Sequence, residues 1–311
     1  MRNAFADEVT KLGVADERVV LLSGDIGNKL FDKFKDKNPG RFLNCGVAEA
    51  NMMGVAAGMA LTGLRPVIYT ITPFTTSRCL EQIRVDACYH NAPVIIVGTG
   101  SGLSYAELGP THHSCEDMAL LRVLPGMTVL APCDEVELRA GLRAALQHNG
   151  PVYMRIGKKG EPIVHKNPPA FRLGHAVTLR QGRDVCLIAA GTIMPVVLAA
   201  ADRLVSQGLS VRVESFHTVK PLDAERLTEV FRDCALVAVC EEHSRLGGLG
   251  GSIAEWRAQS RGPRAEMLMF GTDDVFLHEV GSQDYARRVF GLTAENISDT
   301  VAANLKSRVT A

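Results

Sequence analysis

The sequence predicts an α/β protein made of two three-layer α/β domains, each a largely parallel sheet covered on both faces by helices. Three observations carry this. At 311 residues the chain is too long for one ordinary core and suits two units of about 150 residues each. Short, continuous apolar runs rich in β-branched residues alternate with helical segments, as in parallel strands buried on both faces. The alternation stops over residues 157–172, a stretch rich in Gly, Pro and charge, and then resumes. The predicted domains are therefore 1–165 and 172–311.

In the first unit, strands are predicted at 18–22, 65–71, 93–98, 127–131 and 152–156. Helices are predicted at 47–62, at 77–90 with Ser77 as cap, and at 134–148, where Asp134 caps and Glu135 and Glu137 favour the positive end of the dipole. The second unit repeats the cycle, with strands at 184–190, 210–215, 235–241 and 265–270 and helices at 194–207, 223–232, 249–259 and 293–306. No low-complexity tract or short-period repeat interrupts it.

Composition narrows the function. With 34 basic and 34 acidic residues the chain lacks the positive field that gathers nucleic acid or an anionic membrane, so small molecules and protein partners are expected. The eight cysteines at 45, 79, 88, 115, 133, 186, 234 and 240 form no Cys-x-x-Cys pair and no metal-ligand spacing with histidines. They read as reduced, mostly buried side chains of a cytoplasmic protein, and no metal site is predicted. No run approaches the roughly 18 apolar residues of a membrane span, and residues 1–8 do not resemble a signal peptide.

Two segments point to chemistry. Residues 46–61 place one carboxylate, Glu49, at the start of a helix that is otherwise apolar or small. Such a helix is buried, and a lone carboxylate in it costs several kcal/mol unless something bonds to it. The bland alternative is a first-turn Glu that favours the dipole. The second segment, Leu-Gly-Pro-Thr-His-His-Ser-Cys-Glu-Asp at 108–117, follows an apolar strand and a Gly-rich turn at 98–102. It should lie at the carboxyl end of the sheet, where open α/β folds bind ligands. Its adjacent histidines, His112 and His113, are poor core filler and suit proton transfer, unless they are merely solvated beside the capping Thr111 and Ser114. The 98–102 turn is a weak nucleotide signal. Gly-Gly-Leu-Gly-Gly at 247–251 could cradle an anion or simply allow tight packing.

Taken together, these segments resemble the C-terminal half of a transketolase. Gly-Val-Ala-Glu-Ala-Asn at 46–51 is similar to the family's Gly-[Ile/Val]-x-Glu signature, and Gly-Pro-Thr-His at 109–112 matches its loop. Val-Lys-Pro-Leu-Asp at 219–223 and Glu-Glu-His at 241–243 with the following glycines resemble hallmarks of its C-terminal domain. The resemblance implies a pyrimidine-binding domain followed by a transketolase C-terminal domain, with thiamine diphosphate as cofactor. Glu49 would hydrogen-bond N1′ of the aminopyrimidine, Phe74 would stack on that ring, and Asp25 would lie near the thiazolium. His112 would act on the substrate's oxygens, with His113, Lys29 and Arg155 as further substrate contacts, Arg155 on a phosphate. Core packing is the rival role for Phe74, a turn for Asp25 and an inter-domain salt bridge for Arg155.

The family's Gly-Asp-Gly motif with its downstream Asn, which holds Mg²⁺ and diphosphate, has no equivalent here. The resemblance therefore implies a split enzyme whose separate N-terminal subunit supplies the diphosphate domain and most of the Mg²⁺ contacts, in an α2β2 assembly. Leu108 stands where common transketolases have an aspartate, and positions 100 and 101 lack the His or Arg used for an acceptor phosphate, a place Lys29 could fill. These changes imply a ketol transferase with an unusual donor or an unphosphorylated acceptor, outside or beside the pentose phosphate pathway. The β subunit of a 2-oxo acid dehydrogenase E1 component, a deoxyxylulose phosphate synthase and a non-catalytic paralogue are the alternatives. A nicotinamide dehydrogenase lacks its fingerprint here.

Overall fold

The computed structural model describes residues 1–27, 29–262 and 265–309. Twelve strands run β1 Val19–Ser23, β2 Phe42–Asn44, β3 Arg65–Ile71, β4 Ile95–Thr99, β5 Thr128–Leu130, β6 Val152–Ile156, β7 Val177–Arg180, β8 Val185–Ala190, β9 Val211–Ser215, β10 Thr218–Lys220, β11 Leu236–Ser244 and β12 Glu266–Thr272. They form a seven-stranded sheet in the order β10-β5-β6-β4-β3-β1-β2 and a five-stranded sheet in the order β12-β11-β8-β9-β7. Pairing is parallel except for β10 on β5 and β7 on β9. The α/β expectation is met; strands β1, β4 and β8 are buried along their whole length, as their largely apolar runs require, and β6 is equally buried although it carries Arg155.

The sheets do not divide where the chain does. β10 lies beyond the 157–172 connection, yet it pairs with β5 at the edge of the first sheet, with Thr218 opposite Leu130. One apolar cluster accordingly runs from Met52, Met53 and Ile83 through Met118 and Leu121 to Val219, Leu249 and Ile253. Each such side chain, fully buried, contributes about 1.5–3 kcal/mol.

The helix predicted at 47–62 is observed at Glu49–Leu61 and the one at 134–148 at Glu135–Gln147, where the Asp134 carboxylate accepts the N–H groups of Val136 and Glu137. The helix predicted at 77–90 is broken into a 3₁₀ turn at Ser77–Cys79, a short α turn at Leu80–Gln82 and a π-helix at Ile83–Tyr89. Ser77 does not cap it. The Thr76 and Ser77 hydroxyls instead donate to the carbonyls of Thr72 and Pro73 four residues back, offering the backbone an alternative to regular helix. The helix Arg2–Ala15 and the strands β2, β7 and β10 were not predicted.

Candidate active site

The ends of β1 and β3, the start of the Glu49–Leu61 helix and the loop after β4 meet at the carboxyl edge of the first sheet, the usual ligand edge of such folds. After β1 the chain turns so closely past the helix that a Cβ on Gly24 would sit 3.3 Å from Glu49 Cγ. Asp25 follows with φ +55°, a left-handed conformation that short polar side chains tolerate, and its carboxylate accepts a hydrogen bond from Asn44 Nδ2 at 3.0 Å. Asp25 is thus fixed beside the Glu49 segment.

Glu49 is 2% exposed, and the structure supplies a partner that the sequence reading assigned to the cofactor alone. Arg78 donates from Nη1 to Glu49 Oε2 at 2.9 Å, and its guanidinium lies over the Phe74 ring, 4.0 Å from the centroid. Phe74 sits on a single helical turn, Thr72–Thr75, at the end of β3. Its other neighbour is His112, whose ring meets it edge-on with centroids 5.4 Å apart. Gly109 at φ +75° starts the turn that carries His112, and its carbonyl accepts the His112 N–H at 3.0 Å. Paired backbone bonds between Gly102 and Ser114 close that loop at its base. Tyr105, 6.0 Å from His112, and Lys158, 4.7 Å above the Tyr105 ring, extend the row.

The other expected contacts stand elsewhere. Arg155 is 4% exposed and is committed inside the chain: Nε donates to Asp117 Oδ2 at 2.9 Å and Nη2 to the carbonyls of Ser114 at 3.3 Å and Glu242 at 3.2 Å. It is closed to a substrate phosphate and instead ties the two halves together, because Glu242 belongs to the second sheet. Lys29 lines a different cleft, with Asn3, Asp7 and Lys11 of the first helix, away from Glu49 and His112. His113 turns from His112 into a cavity of about 340 Å³ between the halves, lined by Leu103, Cys115, Phe276 and Phe290. Burial lowers its pKa, so the ring is neutral there.

The second-half motif serves the same interface. Glu242 Oε1 accepts the N–H of Leu103 at 2.7 Å, and Oε2 accepts Arg287 Nε at 2.6 Å. The glycine turn at 247–251 does cradle an anion, and the anion is the chain's own Glu241, bonded by the N–H groups of Leu249 and Gly250 at 2.7 and 2.9 Å. A Cβ on Gly248 would fall 2.1 Å from that carboxylate, which is why glycine stands there.

Arg78, Tyr105 and Lys158 were missed from sequence. Arg78 and Phe74 stand on separate turns, Ser77–Cys79 and Thr72–Thr75, with the chain broken between them at Thr76, so no regular helical spacing announced the pair.

The sequence matches the transketolase pyrimidine-binding domain over residues 1–161 and the transketolase C-terminal domain over residues 174–297. It is 36% identical to a 6-deoxy-6-sulfo-D-fructose transketolase subunit from Clostridium sp. over 298 residues, 96% of this chain and 92% of that one. It is 33% identical to one of the subunits of an apulose-4-phosphate transketolase from Phocaeicola vulgatus over 307 residues, 98% and 97% of the two chains. Among solved structures, a split-gene transketolase described as an inactive β4 tetramer superposes with a TM-score of 0.90 at 34% identity, over 98% of both chains. With both domains matched in order and relatives of its own length that are subunits of split enzymes, the chain belongs to the transketolase family.

Proposed function

We propose that this chain is the C-terminal subunit of a thiamine diphosphate-dependent transketolase that moves a two-carbon ketol unit from a ketose to an aldehyde. The carrying observation is that one guanidinium, Arg78, lies on the face of Phe74 and bonds to the buried Glu49 carboxylate. A planar, nitrogen-rich cation in that place is a stand-in for an aminopyrimidine ring, which asks for the same two contacts. The donor set fits the cofactor, and Arg78, 43% exposed, is free to swing towards solvent when the ring enters.

In this reading Glu49 holds N1′, Phe74 stacks on the ring and Asp25 flanks it, while His112 exchanges a proton with the substrate's oxygens. When bound, the cofactor supplies a carbon nucleophile that carries the two-carbon unit. The diphosphate and Mg²⁺ belong to a separate N-terminal subunit, a division supported by relatives of similar length that are named as transketolase subunits, and the two chains pair as α2β2. Unpaired cysteines suit a reducing, cytoplasmic setting. Among the described residues no helix is long and apolar enough to cross a membrane. Leu108, half exposed on the His112 loop, supports a donor unlike that of common transketolases. Relatives named for a sulfosugar and for apulose 4-phosphate favour this over the 2-oxo acid dehydrogenase alternative.

The test is reconstitution with a candidate N-terminal subunit, thiamine diphosphate and Mg²⁺, followed by a screen of donor ketoses and of phosphorylated and unphosphorylated acceptors. Transfer that requires both chains is expected. Pyruvate turnover coupled to a lipoyl domain, or no cofactor binding by the complex, would overturn the reading, and ordinary efficiency with xylulose 5-phosphate and ribose 5-phosphate would remove the substrate part of it.

A further inference from the structure

A second cluster lies outside the site just described, and linear spacing hid it because its members are up to 32 residues apart. Cys133 and Asp134 follow β5, and the chain leaving β6 brings His165 back over them. Asp134 Oδ2 accepts the N–H groups of Val164 and His165 at 2.9 and 3.0 Å and lies 3.0 Å from His165 Nδ1. That contact assigns the Nδ1 proton to the Asp134 side and points Nε2 the other way. Glu137 accepts the Cys133 N–H through Oε2 at 2.8 Å, leaving Oε1 3.3 Å from His165 Nε2. Both of those atoms lack a hydrogen-bond partner, on side chains 0% and 4% exposed. Cys133 Sγ lies 3.9 Å from Nδ1 of the same His165 ring, and one ligand atom from each of Cys133, Glu137 and His165 falls within 4.8 Å of the others, with all three residues buried.

We propose that Cys133, Glu137 and His165 form a structural site for a divalent cation of Zn²⁺ type, with water as fourth ligand, that clasps the inter-domain connection to the first half. Tetrahedral Zn²⁺ with Zn–N and Zn–O bonds of about 2.0–2.2 Å holds those donors roughly 3.3–3.5 Å apart, the separation of Nε2 and Oε1. Sulfur, imidazole and carboxylate together suit a borderline-soft ion. Thiolate and carboxylate balance its charge, and Asp134 behind the ring is the outer partner that metal-bound histidines keep. On binding, the Cys133 S–H bond breaks, the sulfur–metal bond forms and the proton goes to water; any proton on His165 Nε2 leaves in the same way. In the absence of a cation, burial and the Glu137 and Asp134 charges hold that thiol well above its ordinary range, so the ion is what deprotonates it.

The metal-free alternative is a His165 cation held between two carboxylates. The test uses the full-length chain without an affinity tag, stripped with chelator and titrated with Co²⁺ and then Zn²⁺. A single Co²⁺ per chain, with the thiolate charge-transfer band and the intense visible bands of a tetrahedral site, displaced by Zn²⁺, is expected. Cys133→Ala should abolish the charge-transfer band and His165→Gln should weaken binding at least tenfold, whereas Cys45→Ala should change neither. Absence of the band, or a band that survives Cys133→Ala, overturns the proposal; if the variants misfold, an unchanged melting temperature of the stripped wild-type chain on adding Zn²⁺ does so equally.

Discussion

Two arginine–carboxylate pairs divide this molecule into a region built to change and a region built to stay. At the sheet edge, Arg78 pairs with the buried Glu49 from a position 43% exposed, so its partner can be exchanged without stranding a cation. At the interface between halves, Arg155 and Asp117 are 4% and 0% exposed, and Tyr153 donates to the same Asp117 oxygen at 2.5 Å. Charge type is the same in both. Solvent access to the cation separates a pair that can open from a permanent brace, and of the two roles the sequence left open for Arg155, a substrate phosphate or an inter-domain salt bridge, the bonds it makes are those of the brace.

The largest effect that should separate the two regions is catalytic. Glu49→Gln in the reconstituted enzyme should lower turnover by about 10²–10⁴-fold, the range for losing a proton-transfer group, while the melting temperature of the chain changes little. Near-normal turnover in steady-state assays breaks the assignment. Arg155→Leu should do the reverse: leaving Asp117 buried and unpaired should cost about 3–5 kcal/mol in urea unfolding, with the KM of the folded fraction retained. A selective rise in KM for phosphorylated substrates would instead return Arg155 to the substrate.

A third carboxylate–cation pair sharpens the picture because its cation can titrate. Asp134 is held down to about 2: burial alone would raise it, and hydrogen bonds from His165 and from the backbone N–H groups of Glu137 and His165 outweigh that. Burial likewise lowers His165, but the Asp134 bond and the Glu137 and Asp134 charges win and raise it. These are one interaction seen from both ends, with Cys133 and His217 the other titratable groups facing it. In chelator its contribution should be complete from about pH 4 to 6.5, fade as pH falls towards the depressed Asp134 value, and fade as pH rises through the raised His165 value, by about 1–2 kcal/mol in all. Urea midpoints that climb above pH 7 under those conditions contradict it. The smallest effect belongs to the open pair: a double-mutant cycle of Glu49→Gln and Arg78→Met on the lone chain should give a coupling below about 1 kcal/mol, and a value matching that of the Arg155–Asp117 cycle would erase the distinction.

Much of this was legible in the residues. Unbroken apolar runs exposed the central strands because burial on both faces leaves no polar alternation to confuse them. The three-residue strands β2 and β10 carry too short a pattern, and β10 exists only because β5 offers it an edge. Glu49 was legible as an anomaly in an apolar helix, and His112 as an imidazole in an irregular loop. Arg78 was hidden by a segment read as one regular helix, and Arg155 was left between two roles because no local pattern reports that Ser114, Asp117 and Glu242 surround it.

The strand that crosses from one half to the other has a practical consequence. Were residues 1–165 produced alone, Thr128–Leu130 would lose its antiparallel neighbour and present a fully buried row of now unpaired amides and carbonyls at the rim of the sheet. Such a rim recruits foreign strands. The stretch of sequence that looks most like a hinge is therefore a poor place to cut, and a fragment ending there should self-associate instead of staying monomeric.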